Sequence, residues 1–286
     1  MNKSTYFTQP VNDFVEWLAQ RLCGAPIRFA APNTKHYMHL HDALAAYQWP
    51  PRLKVPLPVK APGLPYIHPP LSPLPGRSGL AANTASLSSL ENALCTSYAA
   101  GASHGNQLAG AVAATFHWGG VYTKRGNGAW LLKNHHQLHG ILSGFARDHA
   151  RGDDVSKVSN LRFNSGMTKV YALLLSDFII YDSRVAAALA WLAHDWWTIW
   201  LKRPAGAFPA ELKFGCLAAN GSMAPFRNPT ITVFPTLWNS PYKHYTWNVR
   251  ANWILGDAHK LAGGNSRFAN LREVEAALFQ MGDRVC

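Results

Sequence analysis

The sequence predicts a mainly α-helical protein. Two observations carry that expectation. Apolar residues recur at helical spacing in several separate stretches, and only one short run, Thr230 to Phe234, has the texture of a strand. A third shapes it: Pro50 to Pro75 is so crowded with proline that no helix can pass through.

The elements follow in order. Residues 11–23 form an amphipathic helix with Phe14, Trp17, Leu18 and Leu22 on one face, and residues 36–48 a second, shorter helix. The proline segment then runs as extended, polyproline-like chain, and its apolar residues imply that it is docked on a surface. A helix is expected over 84–101, capped by Thr84 or Ser86, and another over the small apolar residues 105–117. The paired glycines and the Gly-Asn-Gly of residues 118–131 read as a hairpin or loop. Helices are expected over 134–150, 167–176 and 183–201. Residues 205–245, rich in Gly, Pro, Asn and aromatics, are expected to be irregular, and Asn270 to Met281 to close the chain as a helix. The resulting division is 1–83, N-terminal helices plus the proline-rich wrapping segment; 84–204, a helical core; and 205–286, an irregular segment with the last helix packed on the core.

Composition narrows the partner. Lys and Arg total 27 against 15 Asp and Glu, a formal charge of +12, in a chain where only 15% of residues are charged. Such a surplus favours a polyanion, with nucleic acid the leading candidate. No run of 18 uncharged apolar residues exists, and Val185 to Leu201 is interrupted by His194 and Asp195, so no membrane span is expected. The opening residues lack the apolar core of a signal peptide, and a cytoplasmic location is expected. Cys23, Cys95, Cys216 and Cys286 lie far apart, without a C-x-x-C pair, and are expected to be reduced thiols.

The stretch that carries function is 163–201. Asp182 stands where a helix begins, ahead of a stripe formed by Val185, Leu189, Leu192, Trp196 and Ile199. An aspartate there accepts backbone N–H groups that otherwise lack partners. Arg184 lies in the first turn of that helix, directed away from the stripe. Upstream, Gly166 opens a shorter helix with Lys169 in its first turn, where a cation is disfavoured by the helix dipole. A lysine so placed implies an anion nearby or an amine used in chemistry. The chain between the two residues is long enough for both helix starts to face one side, which would aim two sets of free N–H groups at phosphate.

Gly-Met-Thr-Lys-Val, a short apolar helix, and then Tyr-Asp-Ser-Arg-Val opening a long helix together resemble the helix-hairpin-helix DNA glycosylase superfamily, in its 8-oxoguanine and endonuclease III-like members. The resemblance covers about forty residues. It implies a helical glycosylase-like fold and excision of a modified or damaged base from DNA by hydrolysis of its N-glycosidic bond. On it, Lys169 matches the family's lysine, Asp182 its catalytic aspartate and Arg184 the position usually held by histidine. Asn164-Ser165-Gly166 stands where the family has a Gly-x-Gly hairpin, and the lysine-to-aspartate interval is shorter than in the family. The Tyr-Asp-Ser-Arg-Val form resembles a divergent bacterial branch, some of whose members act against phages on modified cytosines.

The expected chemistry places Asp182 opposite an oxocarbenium-like sugar, where its charge stabilises the transition state and orients water. The shorter interval favours a monofunctional enzyme over one in which Lys169 forms an imine and cuts the strand. Asn164, Ser165, Gly166, Arg162, Arg184, Lys124 and Arg125 are expected to contact DNA, and Trp118, Tyr122, Trp191 and Trp238 to line a pocket for a flipped base. The partner expected is double-stranded DNA, the protein a monomer, with no cofactor and no metal. Two rivals stand beside this reading. One is a non-catalytic DNA-binding protein. The other is a metal hydrolase using histidines, of which His135 and His139 lie one helical turn apart beside His136, and His39 and His41 form a second near pair close to His36.

Overall fold

A computed structural model describes residues 2–31, 35–50, 66–72, 74–152, 157–217, 227–237 and 240–285. The chain is mainly helical, as expected. In order it forms α1 (Lys3–Tyr6), α2 (Gln9–Leu22), β1 (Pro26–Ala31), β2 (Lys35–His39), α3 (Leu40–Ala45), α4 (Leu80–Ala99), α5 (Gly105–Trp118), α6 (Asn127–Asn134), α7 (Leu138–Arg151), α8 (Met167–Leu174), α9 (Ser183–Asp195), α10 (Pro241–Ala262) and α11 (Leu271–Met281). No described helix is long and apolar enough to cross a membrane.

These elements make two compact units. The first joins Met1–Tyr47 to Ile179–Cys286; the second is Gln48–Phe178. The division differs from boundaries at 83 and 204, because the chain leaves the first core, builds another, and then returns. Periodicity along a sequence reveals a helix's buried face but not which core receives it.

In the first unit α9 is the central element. Val185 to Ala190, Leu192 and Ala193 are all buried, and the alanines among them let neighbours approach on every side. The helix α10 lies against α2, and α11 against α3 and α9. Phe14, Trp17, Leu18 and Leu22 of α2 are buried as their spacing predicts. Strands β1 and β2 pair antiparallel, with Phe29 opposite Tyr37 and their rings 5.9 Å apart. The register slips between Pro26 and Phe29, and Arg28 there has a φ of 52°, a bulge that bends the ribbon.

The second unit is built around α5, whose residues Leu108 to Phe116 are buried. It contacts α4, α6, α7 and α8. Gly110 is required: a Cβ there would come 1.9 Å from the carbonyl oxygen of Ile67. The segment just after most of the proline stretch therefore lies on α5, and Ile67 N–H donates to Asn106 O at 3.0 Å. Residues 51–65 and 73, most of the proline segment, lie outside the described residues.

Several expectations are corrected. Residues 36–48 are a strand followed by α3, not one helix; Tyr37 is buried between exposed His36 and Met38, an alternation that overrides helical spacing. Helix α4 starts at Leu80, with Gly79 as its N-cap, not at Thr84 or Ser86, and has no side-chain cap. Residues 118–131, expected as a hairpin or loop, form a turn-rich loop only over 119–126; the Gly-Asn-Gly then opens α6. Thr230 to Phe234 is a turn, not a strand, with Thr230 Oγ1 and Thr232 Oγ1 bonded at 2.9 Å; the nearest pairing is an isolated bridge between Cys216 and Thr236. Residues 205–240 are irregular where described, but Pro241 begins a helix of 22 residues that composition concealed. Ile199 leaves the α9 stripe and is 65% exposed. The cause is a π-helical turn at Trp196–Trp200, where Leu201 N–H reaches back to Trp196 O at 3.0 Å and rotates the following side chains.

Candidate catalytic carboxylate and nucleic-acid interface

In the second unit one buried amide organises the residues expected to contact DNA. Asn127, the first residue of α6, is buried. Its Oδ1 accepts Nε–H of Arg162 at 2.7 Å and Nδ2–H of Asn164 at 2.9 Å, while its Nδ2 donates to Val121 O at 3.1 Å. Asn164 in turn caps the start of α8, its Oδ1 accepting the N–H groups of Gly166 at 2.9 Å and Met167 at 3.0 Å. The Asn-Ser-Gly segment thus acts as a helix start without the usual glycine hairpin. Gly166 is fixed by contact: a Cβ would stand 2.0 Å from Asn127 Nδ2. Glycines at 126 and 128 are also crowded, by Thr123 Oγ1 at 2.3 Å and Thr123 O at 2.8 Å from any added Cβ. The starts of α6 and α8 are therefore locked together, and Lys124 and Arg125 stand exposed on the turn before α6.

Arg162 is drawn inward by this network, and burial lowers its guanidinium pKa from the usual value. Tyr171 donates its hydroxyl to Arg162 O at 2.9 Å, a bond that spans the start of α8. Lys169 is 4% exposed. Its Nζ donates to Ser165 O at 2.8 Å, and its stem lies so close to Gly119 that a Cβ there would meet Cδ at 2.5 Å. The ammonium is satisfied where a helix dipole alone would disfavour it.

Asp182 lies in the first unit, at the start of the returning chain. It is the N-cap of α9, as expected: Oδ1 accepts N–H of Arg184 at 2.9 Å and of Val185 at 3.2 Å, and the residue is partly exposed. Arg184 does not stand free beside it. Its Nη2 pairs with Asp283 Oδ1 at 2.7 Å and its guanidinium lies 4.5 Å from the Phe279 ring. Burial lowers its pKa, Asp283 opposing and Arg227 adding to that shift. Arg227 donates to Ser183 Oγ at 2.8 Å and shares Asp283 at 3.1 Å. Two guanidiniums thus share one carboxylate beside the helix start. The turn carrying Asp283 is pinned there by Gly282, where a Cβ would fall 1.8 Å from Arg184 O. Asn127, Asp283 and Arg227 are the residues that sequence reasoning missed. The Gly-Asn-Gly was the one signal for the first; Arg227 and Asp283 lie too far from Asp182 in sequence to give any.

The aromatic residues divide. Trp118 lines a cavity of about 260 Å³ with Leu71, Leu74, Ser86 and Leu90. Its Nε1 donates to Asn83 Oδ1 at 3.0 Å and its ring lies 5.0 Å from that of Trp49. Tyr122 stacks on His117 at 4.2 Å. Trp191 packs edge-on against Phe29 at 4.9 Å in the core of the first unit. Trp238 lies outside the described residues.

Of the histidines weighed for a metal, His135 and His139 turn to separate partners. His135 Nδ1 is bonded to Leu132 O at 2.9 Å, and the His139 ring stacks on Tyr98 at 5.0 Å. Among the described residues Cys23, Cys95 and Cys216 form no disulfide; Cys286 lies outside them. Comparison with protein-family models, with curated proteins and with solved structures finds no match to this chain.

Proposed function

We propose that this chain is a DNA N-glycosylase, probing DNA for a modified or damaged base and hydrolysing the bond between that base and its sugar. The observation that carries the reading is Asp182: a partly exposed carboxylate held by two backbone N–H groups at a helix start, with Arg184 and Arg227 close by. A carboxylate fixed in this way does not reorganise as positive charge develops on the sugar. It stabilises the oxocarbenium-like transition state and orients the attacking water. The +12 charge and the exposed Lys124 and Arg125 support a polyanionic partner.

Lys169 acts here as a positioning cation and not as a nucleophile. Its ammonium is buried and bonded to Ser165 O, whereas imine formation needs an accessible neutral amine. Borohydride treatment of the protein with its substrate DNA is expected to trap no covalent complex. A second reading, a DNA-binding protein without chemistry, is favoured by the same cap, since Asp182 satisfies α9 whether or not it reacts. Asp182→Asn separates them. DNAs carrying different modified bases, phage DNA with modified cytosine among them, are incubated with both proteins, and free base and alkali-labile sites are measured. The glycosylase reading expects release by the native chain, loss of at least a hundredfold in the variant, and unchanged DNA affinity. No release from any substrate leaves the binding reading.

A further inference from the structure

Outside the residues discussed above, the junction of β2 and α3 gathers two imidazoles and a carboxylate. His39, His41 and Asp42 each present a ligand atom, all within 4.8 Å of one another, and all three residues are partly exposed. Asp42 is held in place: its Oδ2 accepts the N–H of His39 at 2.8 Å. An orienting bond of this kind is what a ligating carboxylate requires. The two rings stack 5.0 Å apart, so both bring a nitrogen to the same carboxylate.

The spacing is informative. His39 Nδ1 stands 3.4 Å from Asp42 Oδ2, and His41 Nε2 stands 3.6 Å from Oδ1. Both exceed the range of about 2.7–3.2 Å for a good N–H···O bond. These distances run to different oxygens of Asp42, and the three ligand atoms lie within 4.8 Å of one another, so an ion with bonds of about 2.0–2.1 Å needs only a small closing movement of these partly exposed side chains. Among the described residues His41 Nδ1 is buried without a hydrogen-bond partner, so its own packing leaves Nε2 as the nitrogen for a ligand. Two imidazole nitrogens and one carboxylate suit zinc and its neighbours better than calcium or magnesium, which take oxygen sets.

We propose that His39, His41 and Asp42 bind one divalent transition-metal ion of the zinc class, with water completing the tetrahedron. The ion ties the end of β2 to the first turn of α3 in the first unit, and the site is independent of any action on DNA. His36 is exposed and lies on the face of β2 opposite to Tyr37 and His39, so it contributes nothing to the site.

The test uses the full chain freed of metal. Zn²⁺ is titrated calorimetrically, Co²⁺ is followed by its visible absorbance, and thermal melting is measured with and without Zn²⁺. One ion per chain, a tetrahedral Co²⁺ spectrum and a raised Tm are expected. His39→Ala, His41→Ala and Asp42→Asn each weaken binding at least tenfold, and His36→Ala leaves it unchanged. Asp42→Asn keeps an acceptor for the His39 N–H, so it separates lost ligation from a lost cap. Absence of saturable binding to the native chain overturns the proposal, whatever the variants do. So does binding that survives in a folded His39→Ala/His41→Ala double variant, which would place the ion on other histidines.

Discussion

Asn127 shows how much one side chain can carry. Three of its hydrogen bonds reach residues 121, 162 and 164, and it abuts Gly166. Asn127→Ala leaves the half-buried Arg162 Nε without this acceptor and loosens Asn164, the residue that caps α8. An unsatisfied buried group costs about 1–3 kcal/mol, and with Arg162 only half-buried urea unfolding should show a loss near the lower end, about 1 kcal/mol. A change under about 0.5 kcal/mol would mean that the amide is incidental. His117 gives a pH signature. Burial, with His68 adding to it, pushes its pKa down from 6.5 to about 4, and its Nε2 is buried without a partner. The folded state holds it neutral while the unfolded chain takes up a proton first. Its contribution to stability is therefore complete above pH 6.5 and is lost as pH falls towards 4. Thermal melts of native and His117→Gln protein should diverge in slope across that window, the native chain falling more steeply; parallel curves would reject this. At this scale the sequence showed what local spacing encodes. Asp182 before an apolar stripe reads as a cap because its partners are two and three residues on. Asn127 does not, because its partners are brought together by folding.

At the scale of elements, legibility followed the regularity of the buried face. Helices α2, α5 and α11 were plain in the sequence because their apolar residues recur without interruption. Helix α10 was hidden. Its buried side includes His244 and Asn248, whose Nε2 and Nδ2 engage Tyr181 O at 2.9 Å and Ile179 O at 3.1 Å, so polar residues occupy positions a hydrophobic pattern needs. Helix α6 was hidden by its glycines, of which Gly126 closes the preceding turn and Gly128 serves close packing against Thr123. Both cases concern contacts between elements, as does the start of α9. Gly282 there lets the end of α11 touch the backbone of Arg184. Gly282→Ala must force the two apart. Overpacking of this kind costs about 1–3 kcal/mol, and the shift would carry Asp283 away from Arg184 and Arg227. Lowered denaturant midpoint together with weakened DNA binding is the expected result. A variant of unchanged stability would show that the turn has room to move.

At the scale of the molecule, the two-unit division was the least legible feature, because a chain that leaves a core and returns carries no local mark of doing so. Charge, by contrast, is legible from composition alone. Lys and Arg outnumber Asp and Glu in both units, so the surplus is a property of the whole chain and not of one tail. A protein that neutralises phosphates releases condensed counterions, and the slope of log K against log salt is about −0.9 for each phosphate contacted. The surplus therefore predicts a steep slope for duplex DNA, independent of base modification. The exposed Lys124 and Arg125 should account for a defined part of it. Replacing both with alanine should lower the slope by about 2 and weaken all duplexes alike, because contacts to phosphate carry no sequence information. On the proposed glycosylase reading, Asp182→Asn should leave the slope where it is while abolishing base release. An unchanged slope in the Lys124/Arg125 variant would remove the α6 turn from the interface.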